Sequence, residues 1–136
     1  MKIRSGFVSN SSSSSFIIEY KDSYQPIKVE GQDLSLNDLF DYIDHECCNY
    51  NYETTVHEIT NENDESKESL LEYIDYQIQW VDDEVKQKLL NLKEDIKANE
   101  STFARFELSY HDKMGRFIFN ILKGRNVFTI RDECEY

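Results

Sequence analysis

Glycine, proline and cysteine are scarce in this chain of 136 residues, which contains four glycines, one proline and three cysteines. So few turn-forming residues favour long regular elements joined by few tight loops. The glycines stand singly, which excludes a glycine-rich phosphate-binding loop. Cys47, Cys48 and Cys134 are odd in number and two are adjacent, so they do not indicate a disulfide framework and are typical of a cytoplasmic protein.

Long apolar runs are missing as well. No run approaches the roughly 20 residues that a membrane-spanning helix needs. Lys2 and Arg4 resemble the basic start of a signal peptide, but serines occupy the place of its apolar segment. We therefore expect no membrane association and a cytoplasmic location. A hydrophobic content of 39%, with 13% aromatic residues, still predicts one folded domain with a substantial core.

Positive charge is almost absent from the middle of the chain. Residues 33–84 hold sixteen acidic groups and a single basic one, Lys67, whereas the two flanking thirds are close to neutral. The net charge of −12 therefore arises in this segment alone. Phosphate contacts require clustered lysine and arginine, so direct nucleic-acid binding is disfavoured. The acidic excess has two interpretations: an ordinary solvated helix surface, or a surface for a basic partner.

The N-terminal segment contains five consecutive serines between two apolar clusters, Phe7-Val8 and Phe16-Ile17-Ile18. Its string Arg-x-Gly-Phe-Val-Ser-Asn-Ser-Ser-Ser-Ser-Ser-Phe resembles the start of many small uncharacterised proteins from bacteriophage and other mobile-element genomes. The matching residues are Arg4, Gly6, Phe7, Val8, Ser9, Asn10, Ser11 to Ser15 and Phe16. The resemblance implies a phage or mobile-element origin and no particular activity.

The serine run itself has two interpretations. It is either a solvated tether, or an element that is modified or recognised by another protein. We interpret residues 1–15 as a flexible signature segment and residues 16–136 as a single domain, although the first predicted strand already begins at residue 14.

The first half of that domain shows two short strands and a helix. Residues 14–21 and 27–30 are predicted strands, the second at a sheet edge because Pro26 and Gly31 flank it. A helix is predicted from Leu36 to Cys48 with Ser35 as its N-cap, since its apolar residues recur at helical spacing. Residues 54–60 alternate like a third strand.

The clearest periodic pattern runs from Leu70 to Ile96, where apolar residues recur at steps of three and four. A single helix over residues 66–98 would be roughly 50 Å long, which exceeds the width of a small domain. The unbroken phase favours one helix and the length favours a break near Asp82-Asp83. We favour the break slightly, with Asp82 as the cap of a new helix.

The last third alternates in a way that predicts a β-meander. Its strands are expected at 102–110, 116–122 and 127–131, with turns at 111–115 and 123–126. The predicted fold is therefore α+β: an antiparallel sheet, formed by the C-terminal three-stranded meander and the N-terminal strands, with helices packed on one face.

Recognisable catalytic and metal-binding patterns are weak or absent. His45, Cys47 and Cys48 do not have the spacing of a closed zinc site, even with His111 and Cys134 added, and Cys47 fits the apolar helix face better. No serine lies in a Gly-x-Ser-x-Gly elbow, and carboxylate pairs arise by chance among sixteen acids. We predict no enzyme, no cofactor and no metal.

Two functions remain. The first is a non-enzymatic acidic protein of phage origin that engages a basic surface of a host protein in the bacterial cytoplasm, with inhibition of a nucleic-acid-handling or defence protein as one form. Its candidate partner-binding residues are Asp38, Asp41, Asp44, Glu65, Glu68, Glu72, Asp75, Asp82 and Asp83. The second is a structural or assembly-associated protein that its N-terminal signature directs into a complex.

The long apolar stripe also predicts self-association. If the helix were continuous, its distal apolar residues would extend beyond the sheet, and exposed apolar surfaces of that kind usually mark an interface. Its acidic first half and basic second half are complementary in an antiparallel pair. A homodimer is therefore predicted, with contacts through Val85, Leu89, Leu92 and Ile96.

Overall fold

The computed structural model describes residues 3–4, 13–21, 26–29, 31–50, 53–61, 63–124 and 128–135. In chain order its elements are β1 (Ile3–Arg4), β2 (Ser13–Tyr20), β3 (Ile27–Val29), β4 (Gln32–Leu34), α1 (Leu36–Tyr50), β5 (Thr55–Ile59), α2 (Asp64–Ile78), α3 (Asp83–Ala98), β6 (Thr102–Ser109), α4 (Lys113–Gly124) and β7 (Thr129–Glu135). The α+β class and the antiparallel sheet with helices packed on it are confirmed.

The main sheet has the order β1-β7-β2-β6-β5, and every neighbouring pair is antiparallel. The central strand β2 pairs with β6 on one side, where Phe16 lies opposite Phe106, and with β7 on the other. Strands β3 and β4 form a separate hairpin, in which Gly31 adopts a left-handed φ of 81° that favours glycine. The pairings of β2 with β6 and β7 place strands that are distant in sequence side by side.

Helices cover both faces of the sheet rather than one. Phe16 and Ile18 pack in a cluster with buried residues of α1 and α4, whereas Ile17 packs in a second cluster with α2 and α3. Successive strand residues point to opposite faces, so three apolar residues in a row need apolar cover on both sides. The predicted one-sided arrangement is therefore wrong, and Phe16-Ile17-Ile18 is the sequence feature that contradicts it.

The predicted C-terminal meander is also wrong. Its first strand is present as β6 and its last as β7, but residues 116–122 belong to helix α4, and β6 and β7 each pair with β2. Met114 and Ile118 are buried and Phe117 packs against the same core, which is helical spacing. The Asp112 carboxylate accepts a hydrogen bond of 2.7 Å from the Gly115 N–H and so caps the helix where a hairpin turn was predicted. The second predicted turn, at 123–126, falls partly outside the described residues.

The apolar stripe from Leu70 to Ile96 is divided between two helices, with the break near Asp82. Helix α2 ends at Ile78 and α3 begins at Asp83, with Asp82 as N-cap, whose carboxylate accepts a hydrogen bond of 2.9 Å from the Val85 N–H. The predicted break and cap are confirmed. The two helices fold against each other, and both bury their apolar sides against the same face of the sheet.

Candidate functional site

Three glutamates share the outward surface of α2. Leu70, Ile74 and Gln77 are the buried residues of this helix, so they fix which side faces the sheet. Glu65, Glu68 and Glu72 are exposed and lie at i, i+3 and i+7 on the opposite side. Lys67, the only basic residue of α2, is half-buried rather than interleaved among them. We call Glu65, Glu68 and Glu72 the acidic face of α2.

Salt bridges divide the predicted acidic residues into two groups. The Asp75 carboxylate lies 2.6 Å from Lys93 Nζ and links α2 to α3. Within the described part of the chain, no salt bridge reaches Glu65, Glu68 or Glu72. Asp75 therefore contributes to the helix hairpin, while the acidic face of α2 remains available to another molecule.

The remaining predicted acids do not join this surface as one group. Asp82 caps α3, and Asp83 is exposed in the first turn of that helix. Asp38 and Asp41 are exposed on α1, which packs on the other face of the sheet. Asp44 lies in α1, but its side chain is outside the described residues. A flat partner could therefore contact the acids of α1 or those of α2, but not both sets at once.

An aromatic pair that the sequence analysis missed lies at the end of the same helix. Tyr76 is 57% exposed and Trp80 is 71% exposed, and their ring centroids are 6.2 Å apart. Trp80 lies in the turn between α2 and α3, where its N–H donates to the carbonyl of Gln77. The helical spacing of Glu72 and Tyr76 could have indicated that the aromatic pair continues the acidic face of α2.

Three of the four predicted self-association residues are buried in the protein. Leu89 and Ile96 are each 1% exposed and Leu92 is fully buried, in the cluster that α2 and α3 form with the sheet. Val85 is half-buried and packs against that cluster. The homodimer prediction rested on one continuous helix with uncovered apolar residues. It loses that basis, because the apolar stripe folds back on its own sheet.

The described part of the signature belongs to the sheet. Arg4 lies in β1, opposite Cys134 of β7. Ser14 and Ser15 are buried in β2: Ser14 Oγ accepts a hydrogen bond of 2.7 Å from the Tyr110 hydroxyl, and Ser15 Oγ lies 3.3 Å from the Tyr73 hydroxyl. The boundary predicted at residue 16 thus falls within β2, which begins at Ser13.

The other predicted signature residues are Phe16, which lies in the core, and residues 6–10, which the structure does not describe. Phe16 is 1% exposed and belongs to the core. Gly6, Phe7, Val8, Ser9 and Asn10 lie outside the described residues. Burial of Ser14 and Ser15 excludes these two hydroxyls as accessible modification sites in the folded protein.

A polar cluster on the face of the sheet that α2 and α3 cover was also missed. Arg105 binds Glu58 through two hydrogen bonds of 2.7 and 2.9 Å, and its guanidinium lies 4.2 Å from the centre of the Tyr73 ring. Beside it, His57 Nε2 lies 2.9 Å from a carboxylate oxygen of Glu107. Glu58 and Arg105 neutralise each other, and Arg105 also lies against Tyr73 of α2, so the cluster stabilises the packing of α2 on the sheet.

A groove of about 580 Å³ separates α3 from β7, and its charged groups are balanced. Lys88 and Arg131 line it together with Asp132 and Glu133. Burial lowers the pKa of the Arg131 guanidinium, but the hydrogen bonds that it donates to Asp95 and Glu19, together with the charges of these carboxylates, outweigh burial and raise the pKa above its ordinary value. Arg131 is therefore held by these two carboxylates, at 2.6 and 2.8 Å, and is not available to anchor an anionic ligand.

Metal-binding side chains are not assembled in the described ranges, where no group of three histidine, cysteine or carboxylate residues could hold an ion. His45 lies 3.0 Å from the Asn49 side-chain nitrogen, Cys48 is exposed and Cys134 is buried in β7.

Among the described helices, none is long and apolar enough to cross a membrane. Comparisons with protein-family models, with curated proteins and with solved structures found no match to this chain.

Proposed function

We propose that this chain is a non-enzymatic binding protein that places the acidic face of α2 on a basic surface of another protein. The observation that carries the proposal is the purity of sign on this surface. Solvated helices usually interleave glutamate with lysine, which stabilises them through i,i+4 pairs. Here Glu65, Glu68 and Glu72 repel one another, and no cation lies between them on the outward side. A basic partner would give this arrangement a function.

The partner is proposed to be a host protein in the bacterial cytoplasm. This part rests on the resemblance of the N-terminal segment to bacteriophage proteins. Proteins that handle nucleic acids expose arginine and lysine for phosphate groups, and carboxylates spaced along a helix can occupy such a surface. Inhibition of a nucleic-acid-handling or defence protein is the form of activity that this chemistry favours.

The alternative, an assembly-associated protein directed by its signature, has less support. Ser13, Ser14 and Ser15 already have a role in the sheet, so a targeting role is not needed to account for them. Removal of residues 1–15 would also take away three residues of β2, so loss of binding after that deletion would not distinguish targeting from unfolding. The alternative stays a prediction about Gly6 to Asn10.

Two variants with equal charge changes test the proposal. The first combines Glu65→Gln, Glu68→Gln and Glu72→Gln; the second neutralises three exposed acids elsewhere, in Asp33→Asn, Glu94→Gln and Glu100→Gln. Each protein is immobilised and exposed to bacterial lysate at about 50 mM and about 300 mM salt, because electrostatic association weakens as the Debye length shortens. We expect a protein that the native chain and the second variant capture at low salt only, and that the first variant does not capture. Equal capture by both variants would contradict the proposal.

A further inference from the structure

The aromatic pair, Tyr76 and Trp80, is the largest exposed aromatic surface in the described part of the chain. Trp80 is the only tryptophan of the chain and is 71% exposed, and Tyr76 beside it is 57% exposed. Burying an aromatic ring removes on the order of 150–250 Å² of surface from water, so a monomer gains nothing by displaying two of them. Tryptophan and tyrosine are enriched at the centres of protein interfaces.

The carboxylates around Tyr76 and Trp80 indicate which kind of ligand this aromatic pair would bind. Tyr76 follows Glu72 by four residues on the same outward side of α2, and the exposed Asp83 follows Trp80. An acidic ligand would be repelled there, and an apolar one would leave the carboxylates without partners. A cation that also stacks on aromatic rings satisfies both features, and the arginine guanidinium does so better than the strongly hydrated lysine ammonium.

We propose that Tyr76 and Trp80 bind an arginine side chain of a protein partner, while neighbouring arginines of the same segment pair with Glu72 and Glu68. A planar guanidinium stacks on an aromatic face and forms two parallel hydrogen bonds with a carboxylate. From Glu65 to Tyr76 the surface extends for about 16 Å along the helix, which equals the length of about five extended residues. The inference rests on the proposed function and specifies the chemistry of the partner.

Deca-arginine and deca-lysine are probes that separate stacking from charge. Because Trp80 is the only tryptophan, emission that is excited at wavelengths beyond the absorption of the nine tyrosines reports on this site alone. We expect deca-arginine to change that emission and to bind about three- to tenfold more tightly than deca-lysine. Affinities are measured by the anisotropy of labelled peptides, which also serves variants that lack the tryptophan.

Three variants assign the result. Tyr76→Ala with Trp80→Ala should reduce the preference for arginine but retain salt-sensitive binding of both peptides, and Trp80→Phe, which keeps an aromatic ring at each position, should reduce that preference less. The triple glutamine variant of the acidic face of α2 should weaken the binding of both peptides, because the carboxylates attract either cation. Circular dichroism establishes that each variant is folded.

Two outcomes separate failure of this inference from failure of the proposed function. If both peptides bind with equal affinity and the emission does not change, the arginine site is overturned and the acidic surface stands. If neither peptide binds at about 50 mM salt, or if the triple glutamine variant and the Asp33, Glu94 and Glu100 control variant bind them equally, the acidic surface is overturned as well.

Discussion

A single carboxylate, that of Asp112, ties the start of α4 to the loop that leads into β5. One of its oxygens accepts the N–H groups of Glu53 and Thr54 at 3.0 and 3.2 Å. The other accepts the Thr54 hydroxyl at 2.9 Å and the Gly115 N–H at 2.7 Å. Four hydrogen bonds to one side chain fix where the helix begins relative to the sheet.

Gly115 is required where α4 meets the end of β6. A Cβ atom at this position would lie 1.8 Å from the carbonyl oxygen of Ser109, a backbone atom that cannot turn aside. We therefore expect Gly115→Ala to reduce the free energy of unfolding by about 1 to 3 kcal/mol, as overpacking does. Urea denaturation measures the change. Asn120→Ala, at an exposed position of the same helix, is the control and should be neutral or slightly stabilising. A stable Gly115→Ala protein would show that α4 is placed differently.

Glu58 and Arg105 form an ion pair that joins β5 to β6. Both side chains are nearly buried, at 10% and 13% exposure, so removing one partner leaves a charge without compensation. We expect Glu58→Gln to lower stability by about 2 to 3 kcal/mol. The double variant Glu58→Leu, Arg105→Met should recover much of that loss, because an apolar pair has no desolvation penalty. Thermal or urea unfolding measures the stability of both variants. A double variant that is no more stable than Glu58→Gln would contradict the pairing.

Residue-level features were predictable where they are local in sequence. Ser35 was identified as a cap from its position before an amphipathic helix, and its hydroxyl accepts a hydrogen bond of 3.2 Å from the Asp38 N–H. Asp112 was not identified, because its partners Glu53 and Thr54 are almost 60 residues away and the helix that it caps had been interpreted as a strand.

At the scale of elements, α4 shows how alternation misleads. Residues 116–122 contain aromatic and aliphatic residues at mixed spacing, which fits a strand of period two or a helix of period 3.6. Met114, just before this window, completes the helical spacing with Phe117 and Ile118. Met114 therefore decides between the two periods, and it lies outside residues 116–122.

The break between α2 and α3 depends on the Asp82 cap. Its carboxylate accepts the Val85 N–H at 2.9 Å and satisfies a donor that the helix start leaves open. We expect Asp82→Ala to lower the free energy of unfolding by about 1 kcal/mol and Asp82→Asn to have little effect. Asp83→Ala, one residue later, is the matched control, since Asp82 alone provides the cap. Equal losses for both alanine variants in urea denaturation would assign the effect to charge instead.

For the whole molecule, the location of Leu89 predicts how the chain responds to a buried charge. Leu89 is 1% exposed within the cluster of α2, α3 and the sheet, whereas its neighbour Leu90 is 37% exposed. Leu89→Asp should therefore unfold the protein, because an aspartate there would be desolvated and unpaired. Leu90→Asp should remain folded. Circular dichroism measures whether each variant is folded, and light scattering measures its mass. If Leu89→Asp is folded and its mass falls to 16.2 kDa from a larger native value, Leu89 lies in a dimer interface instead.

Sheet order and layering exceeded what the sequence could predict. The apolar spacing predicts helices in the regions of α1, α2 and α3, but an apolar side does not show which face of the sheet a helix covers. Strand β2 joins the two halves, with β6 and β7 at its sides, and these partners are about 90 and 115 residues away in the chain. The acids of α1 and α2 were predicted as one surface for the same reason, although the sheet separates them.

The acidic face of α2 affects both the stability of the fold and the proposed binding of a basic partner. Like charges along one helix face oppose folding, so Glu72→Lys should raise stability by a few tenths of a kcal/mol by placing a cation four residues after Glu68. The same change should weaken binding of a basic peptide, because it inverts a charge at the centre of the surface.

The matched control for that substitution lies on α3. Glu94→Lys alters the net charge equally but puts a cation next to Lys97, whose amine lies 4.0 Å from Glu94 in the native chain, and so should slightly lower stability and leave peptide binding almost unchanged. Urea denaturation and peptide anisotropy at about 50 mM salt measure both quantities. If Glu72→Lys stabilises the fold without weakening binding, the Glu72 carboxylate does not contact the peptide, and the acidic face of α2 is an ordinary solvated surface. If it stabilises the fold and weakens binding, the chain retains a destabilising surface because that surface binds.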